Sequence, residues 1–512
     1  MGSQNMGRRG RAAGISAIVL MSLVLSLLAS PAAAEREISW VYDRDGKALP
    51  APVSYIYDRS IEGLYTPAGS FGSPTDLFLD HEGYLWVADT GNDRILQLTQ
   101  DGDVVQAYGQ AEGPAQLDSP AGVFVTVTGE LWIADRGNNR VVVLDRQGQF
   151  LREFGKPTSK LLTQDKVYQP TKVVVDRRGY IYVVNASGDY RGIFQLDARG
   201  TFRGFFGANR LPFDLFYLII RAVTTETQRK RLRTVLPVHN SNLFLDERGF
   251  VWTVAPHGED EQIKKLSPVG ANVYRRDFTF GEARTEATVS LKDRLAQQYA
   301  TTYRRGYLSL NLSGSQFVDV TVSQRGVVSA LDKSTGLVYQ YDQLGNLLML
   351  FGGLGTQTGK FERPVSLVGT DDGSIYVLDA DRDHIQRYRP TGYAQLVHQA
   401  SELFYDGYYS ESAELWREVL RRNANLEFGH VGVAKAFYRQ GEYQQAMAEY
   451  ALARDSQGYS RAFGEYRHDF VRANFGWVMP LVILTVWLLT TLLIRGVRRI
   501  MALNLEVTEQ FS

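Results

Sequence analysis

Histidines and carboxylates are the side chains here that could hold a metal or move a proton. The seven histidines are His81, His239, His257, His384, His398, His430 and His468. None makes an HxH or HxxxH pair, the spacings that put two imidazoles on one strand or helix face. His257, in a turn after Val254-Ala255-Pro256, is the one candidate for a binding role. A solitary loop histidine is ordinarily a solvated side chain. There is no cysteine, which excludes disulfides, thiolate metal sites and cysteine nucleophiles. No glycine-rich phosphate loop or nucleophile elbow is present. The expectation is therefore no catalytic residue, no bound metal and no cofactor. Lys plus Arg (56) equals Asp plus Glu (56), so no net charge points to nucleic acid.

A more regular feature is an acid that returns at one place in a repeated segment: Asp89, Asp135, Asp332 and Asp379, with Asn185 as a near equivalent. Brought to one rim, five such groups could form a cation or ligand ring. The plainer expectation is structural, with each side chain closing its own turn and pairing with a neighbouring arginine.

The elements that would carry this ring come from the repeat itself. Six segments place an aromatic or apolar run after a turn glycine, at Gly83, Gly129, Gly179, Gly249, Gly326 and Gly373. Each is followed nineteen or twenty-one residues later by a second glycine, at Gly102, Gly148, Gly200, Gly270, Gly345 and Gly392. An alternating apolar run such as Asp76-Leu77-Phe78-Leu79 precedes each first glycine. Each unit reads as four short antiparallel strands, a to d, with glycines at the a–b and c–d turns. Six such sheets bury both faces only when packed radially, which predicts an all-β six-bladed propeller over 35–395.

The segments Leu85-Trp86-Val87-Ala88-Asp89-Thr90-Gly91-Asn92-Asp93-Arg94 and Leu131-Trp132-Ile133-Ala134-Asp135-Arg136-Gly137-Asn138-Asn139-Arg140 resemble the NHL repeat. The resemblance extends over about residues 70 to 395 and implies fold rather than chemistry. The fourth and fifth units depart from it: Ala255 replaces the acid and Ser329 replaces the aromatic. Residues after Gly392 read as helix, so the sixth blade lacks a d strand of its own. Either Ser39–Tyr42 or Ser54–Tyr57 is expected to supply it.

Two long insertions, about 208–240 and 281–312, fall in d-to-a connections flanking the fourth blade. Those connections share a rim with the b–c loops. Phe213, Phe216 and Tyr217 of the first insertion, with His257 nearby, are the candidate binding residues of that rim.

From Leu396 the period becomes 34, with Gly407 and Gly441 as turn glycines and Ala400, Leu403, Tyr409 and Trp416 matched by Ala434, Phe437, Tyr443 and Tyr450. This resembles the tetratricopeptide repeat, and 396–474 is expected to hold such helices and a stem helix. At the start, Arg8, Arg9 and Arg11, an apolar run from Ile15 to Leu28 and Pro31-Ala32-Ala33-Ala34 predict a signal peptide over 1–34. Phe475 to Ile494 is an uncharged run long enough to span a bilayer. Arg495, Arg498 and Arg499 follow it and predict a cytoplasmic tail over 495–512.

The layout predicts a single-pass bacterial membrane protein, mostly extracellular, that binds or scaffolds another membrane or cell-surface protein. It resembles membrane-anchored propeller proteins of Gram-positive bacteria that accompany sugar-importing ABC systems, which implies a carbohydrate-uptake accessory role. The alternative is a tethered, metal-dependent, lactonase-like propeller hydrolase.

Overall fold

The computed structural model describes residues 39–42, 48–62, 69–162, 167–186, 192–207, 240–256, 261–274, 280 and 315–510. The predicted signal peptide, both insertion segments with Phe213, Phe216 and Tyr217, and His257 lie outside the described residues. Two compact units are present, one ending at Gln395 and the other continuing from Leu396.

The first unit is a six-bladed β-propeller. Blade one is Asp76–Leu79, Leu85–Asp89, Arg94–Leu98 and Val104–Tyr108, hydrogen-bonded in that order. Blade two is Pro120–Val125, Leu131–Asp135, Arg140–Leu144 and Phe150–Phe154; blade three is Pro170–Val175, Ile181–Asn185, Ile193–Leu196 and Phe202–Phe206. Blade five is Phe317–Val322, Val328–Asp332, Leu337–Tyr341 and Leu347–Gly352. Blade four shows three strands among the described residues, Asn242–Leu245, Val251–Val254 and Ile263–Leu266. At its fourth position the described residues show a bridge between Leu266 and Asn272. The a–b turns of all six blades and the c–d turns of blades one to five close on the predicted glycines, with Gly83 at φ +86° and Gly102 at φ +98° as examples that an L side chain would strain; Gly392 instead opens a helix.

Blade six is completed from the other end of the chain. Pro364–Gly369, Ile375–Asp379 and His384–Pro390 are followed in the sheet by Tyr55–Glu62. The pairing runs from His384 opposite Glu62 to Pro390 opposite Tyr55. The closing strand is thus the second of the two expected segments. Ser39–Tyr42 instead pairs with Ala48–Ala51 in a separate hairpin.

The same strand repairs the weak fifth repeat. In blades one to four the aromatic of strand b packs on an aromatic further along the blade: Trp86 on Tyr108, Trp132 on Phe154, Tyr182 on Phe206 and Trp252 on Tyr274, with ring centroids 5.4, 5.5, 4.7 and 5.0 Å apart. Blade five has Ser329 there. Tyr55 takes the role instead, stacking on Phe351 at 4.1 Å. The Tyr55 hydroxyl donates to the Gly373 carbonyl at 3.0 Å and accepts from Gln340 Nε2 at 3.0 Å. That Gln340 amide also donates to the Ser329 hydroxyl at 3.0 Å.

The second unit is helical: α1 (Gly392–Tyr405), α2 (Tyr409–Arg422), α3 (Glu427–Gln440), α4 (Tyr443–Leu452), α5 (Ser456–Ala473) and α6 (Phe475–Gln510). The turn glycines Gly407 and Gly441 both have positive φ, +88° and +80°. Trp416 of α2 is fully buried, and Gly432 of α3 makes room for it: a Cβ there would lie 2.2 Å from the indole. The Ser412 hydroxyl ties α2 to α1 by donating to the Ala400 carbonyl at 2.7 Å.

Within α6, Phe475–Arg499 is long and apolar enough to cross a membrane, and none of that stretch is buried by protein. Its threonine hydroxyls are satisfied internally, Thr490 donating to the Val486 carbonyl at 2.9 Å and Thr491 to the Leu488 carbonyl at 2.8 Å. This suits a medium without water.

Tyr55→Ala should destabilise the propeller by about 3 kcal/mol, the usual cost of deleting a buried aromatic. Tyr55→Phe should cost about 1 kcal/mol, for the hydroxyl's bonds alone. Urea unfolding of the detergent-solubilised chain measures both. Equal losses would show that Tyr55 acts through its hydroxyl and not by filling the fifth blade.

Candidate functional site

The a strands form the inner wall of the propeller and leave one backbone edge facing the channel. That edge needs partners for its N–H groups. A column of residues runs along it, one per blade: Asp76, Gly122, Lys172, Asn242, Asp319 and Ser366, of which Asp76, Asn242, Asp319 and Ser366 accept from backbone N–H groups. Their partners in strand b are Ala88, Ala134, Val184, Val254, Leu331 and Leu378, the last residue of the strand in blade four and the one before the last in the others.

The five side chains of the column are buried and joined to one another. Lys172 Nζ donates to Asp76 Oδ1 at 2.5 Å. The Ser366 hydroxyl donates to Asp319 Oδ2 at 2.6 Å, and Asn242 Nδ2 donates to Asp319 Oδ1. Several of these side chains also accept from the backbone of the next blade. Val123 N donates to Asp76 Oδ2 at 2.9 Å, Leu367 N to Asp319 Oδ2 at 2.8 Å, and Leu77 N to Ser366 Oγ at 3.1 Å. Gly122 is the gap in the column. A Cβ there would meet the Thr171 carbonyl at 2.5 Å and Lys172 Cα at 3.2 Å, so only glycine admits the lysine strand this close.

Above this floor lies a cavity of about 820 Å³. Lys172 and Asp319 line its base, and Phe78, Phe124 and Phe244 line the wall two residues further along their strands. Phe78 and Phe124 lie 5.3 Å apart. The mouth is made by the a–b turns, with His81, Arg177, Glu247 and Asp371 among its residues. It therefore opens on the face opposite the b–c loops and the d-to-a connections, where the sequence places the insertions.

The floor carries two carboxylates and one ammonium. Burial pushes the Asp319 carboxyl up to about 7; the Lys172 ammonium opposes this, and the Asp76 carboxylate adds to it.

The rim residues singled out in the sequence do different work. Asp89, Asp135, Asp332 and Asp379 are fully buried, and neither they nor Asn185 lines the cavity. Asp89 Oδ1 accepts from Gly72 N at 2.6 Å, and its Oδ2 accepts from Asn92 Nδ2 at 2.9 Å and Arg94 Nε at 2.7 Å. Asp135 repeats the pattern with Asp118 N at 2.9 Å, Asn138 Nδ2 at 2.9 Å and Arg140 Nε at 2.8 Å. Asn185 Oδ1 accepts from Gln169 N at 2.6 Å. Asp332 takes Gln316 N, Ser334 N and Thr335 Oγ1, each at 2.8 Å. Asp379 takes Glu362 N at 2.7 Å and Arg363 N at 3.0 Å. Each side chain ties a b–c turn to the loop entering strand a. Among the described residues, no group of three or more His, Asp or Glu is placed to hold a metal ion.

The channel column has a signal of its own. Asp76 precedes Asp89 by thirteen positions, and the same interval separates Gly122 from Asp135, Lys172 from Asn185, Asn242 from Ala255, Asp319 from Asp332 and Ser366 from Asp379. Five polar residues recur at a fixed offset inside otherwise apolar strands.

The NHL-repeat family model matches residues 117–144, which hold strands a to c of blade two. No curated protein sequence matches the chain. Among solved structures, a catalytically inactive virginiamycin B lyase from Staphylococcus aureus with quinupristin is similar at 13% identity, covering 64% of this chain and 84% of that one, with a TM-score of 0.39. A Bacteroides thetaiotaomicron protein of unknown function is similar at 12% identity over 68% of this chain and 80% of that one, with a TM-score of 0.41. A B. thetaiotaomicron structure described as the extracellular domain of a hybrid two component system is similar at 11% identity, with a TM-score of 0.37; the alignment covers 68% of this chain and 39% of that one. Likeness at this level concerns the fold alone.

The floor makes stability depend on pH. A carboxyl whose value in the fold lies above its unfolded value of about 3.9 stabilises the fold fully below that pH. That contribution is lost as the pH rises through about 7. The chain should therefore lose stability between pH 5 and pH 8, by an amount on the order of a few kcal/mol. Asp319→Asn gives up the bond from Leu367 N, so it should be less stable at pH 5, yet its slope over the same window should nearly vanish. Chemical denaturation at both pH values decides this; an unchanged slope would place the titration elsewhere.

Proposed function

We propose that this propeller with its NHL repeat is a binding protein held outside the cell by the α6 span, and that a small molecule occupies its central channel. One observation carries the reading: a cavity of about 820 Å³, with an aromatic wall and a charged base, open at one face of a rigid ring. Ligand sites are commonly concave, mostly apolar and set with a few polar groups. The helices α1 to α5 read as tetratricopeptide-like and would space the propeller from the bilayer or dock a neighbouring membrane protein. Carbohydrate contact, which the layout implies, belongs better to the b–c face. That face carries the two insertions, where the sequence places the candidate binding residues.

Two experiments test this. Protease added to intact protoplasts should degrade the propeller and spare the span and tail; a protected propeller refutes the topology. Thr321→Phe places in blade five the side chain that blades one, two and four carry at that level, and should fill the channel. Small molecules released by denaturing the purified full-length chain, weighed by mass spectrometry, should be recovered from the wild type and lost from this variant. Equal recovery refutes the channel as the site.

A further inference from the structure

The floor of the channel is short of one positive charge. Lys172 is already engaged with Asp76 at 2.5 Å. Asp319 is held by neutral donors only: Asn242 Nδ2, the Ser366 hydroxyl, Leu367 N and its own strand neighbour Val320 N. Among the described residues, the ionisable groups acting on Asp319 are Lys172 from blade three and Asp76 from blade one. An ionised Asp319 therefore leaves the base of the cavity one unit negative, in a setting where solvent offsets charge poorly.

The chemistry that would relieve this is restricted. The lone pairs of Asp319 are already filled, two donors on each oxygen. A metal ion or a primary ammonium would have to displace one of those donors. A cation without N–H groups needs no acceptor and gains the same Coulomb attraction. Two residues above the floor stand Phe78, Phe124 and Phe244, whose ring faces attract such a cation directly.

Resting on the reading of the channel as a ligand site, we propose that it selects a quaternary ammonium compound, its cationic head seated between the three phenylalanines and the Asp319 carboxylate. Protons compete with this ligand for Asp319, so binding strengthens as the pH rises from 6 to 8.

The test uses the full-length chain in phosphatidylglycerol nanodiscs, which contain no choline. Titration calorimetry compares choline, its uncharged isostere 3,3-dimethyl-1-butanol, and ethanolamine, which has the charge but also N–H donors. Choline should bind at least about tenfold tighter than either. Asp319→Asn should weaken choline about tenfold and abolish the pH dependence. Phe244→Leu, which keeps the wall apolar, should weaken choline while leaving dimethylbutanol unchanged. Equal binding of choline and dimethylbutanol overturns the inference, as does a failure of all three probes to bind. The channel reading survives either result if Thr321→Phe still removes a co-purifying molecule, and falls if it does not.

Discussion

The propeller depends on a contact made six times around its axis, the approach of each inner strand to the next. Nothing in a blade's own sheet satisfies the inner edge of strand a, and nothing in it fixes the neighbouring blade. The channel column does both. When Asp76 accepts from Val123 N, Asp319 from Leu367 N and Ser366 from Leu77 N, a side chain of one blade caps the backbone of the following one. Gly122 contributes by absence, letting blade three come within van der Waals contact of blade two. The ring is thus pinned at its narrowest circle, where small displacements would open the largest gaps further out.

Two further sets of contacts work outward from that circle. The buried rim carboxylates fasten the b–c turns to the loops that lead into strand a, and the paired aromatics bind strand b to the outer strand. Charge is spent unevenly among them. Asp89 and Asp135 each face an arginine at 2.7 and 2.8 Å, so their burial is compensated. Asp319 faces only neutral donors. Asp332 and Asp379 are also held by neutral donors, but of these three buried carboxylates Asp319 alone lines the open cavity.

Much of this was legible in the sequence because the repeat marks it. The paired glycines locate the turns, the apolar alternation locates the strands, and the missing d strand of the sixth blade requires an outside strand. The acid at the end of strand b is visible because its chemistry is nearly constant. The channel column is harder to see, although its interval is just as regular. Its members, Asp, Gly, Lys, Asn, Asp and Ser, share a position but no residue type, since each is fitted to its neighbour around the ring rather than to its own blade. The exchange of Ser329 for an aromatic could be read as decay of the repeat. That Tyr55 supplies the ring instead depends on a contact between residues far apart in sequence, which no local pattern encodes. The cavity mouth was also beyond reach, because it lies on the face where the turns are short and regular.

Closing the last sheet with Tyr55–Glu62 also fixes an order of events in time. That strand is synthesised before every blade, yet its partner, His384–Pro390, follows more than three hundred residues later. At about 5–20 residues per second, the interval is roughly 15 to 65 s. Throughout it, an unpaired strand rich in tyrosine waits beside an incomplete ring with two open edges, the kind of surface that chaperones hold and that aggregation exploits. Blades one to five can form as they emerge, but the ring as a whole becomes cooperative in a single late step. Mechanical or chemical opening would be expected to start at that same seam, which joins the two ends of the propeller without a covalent link.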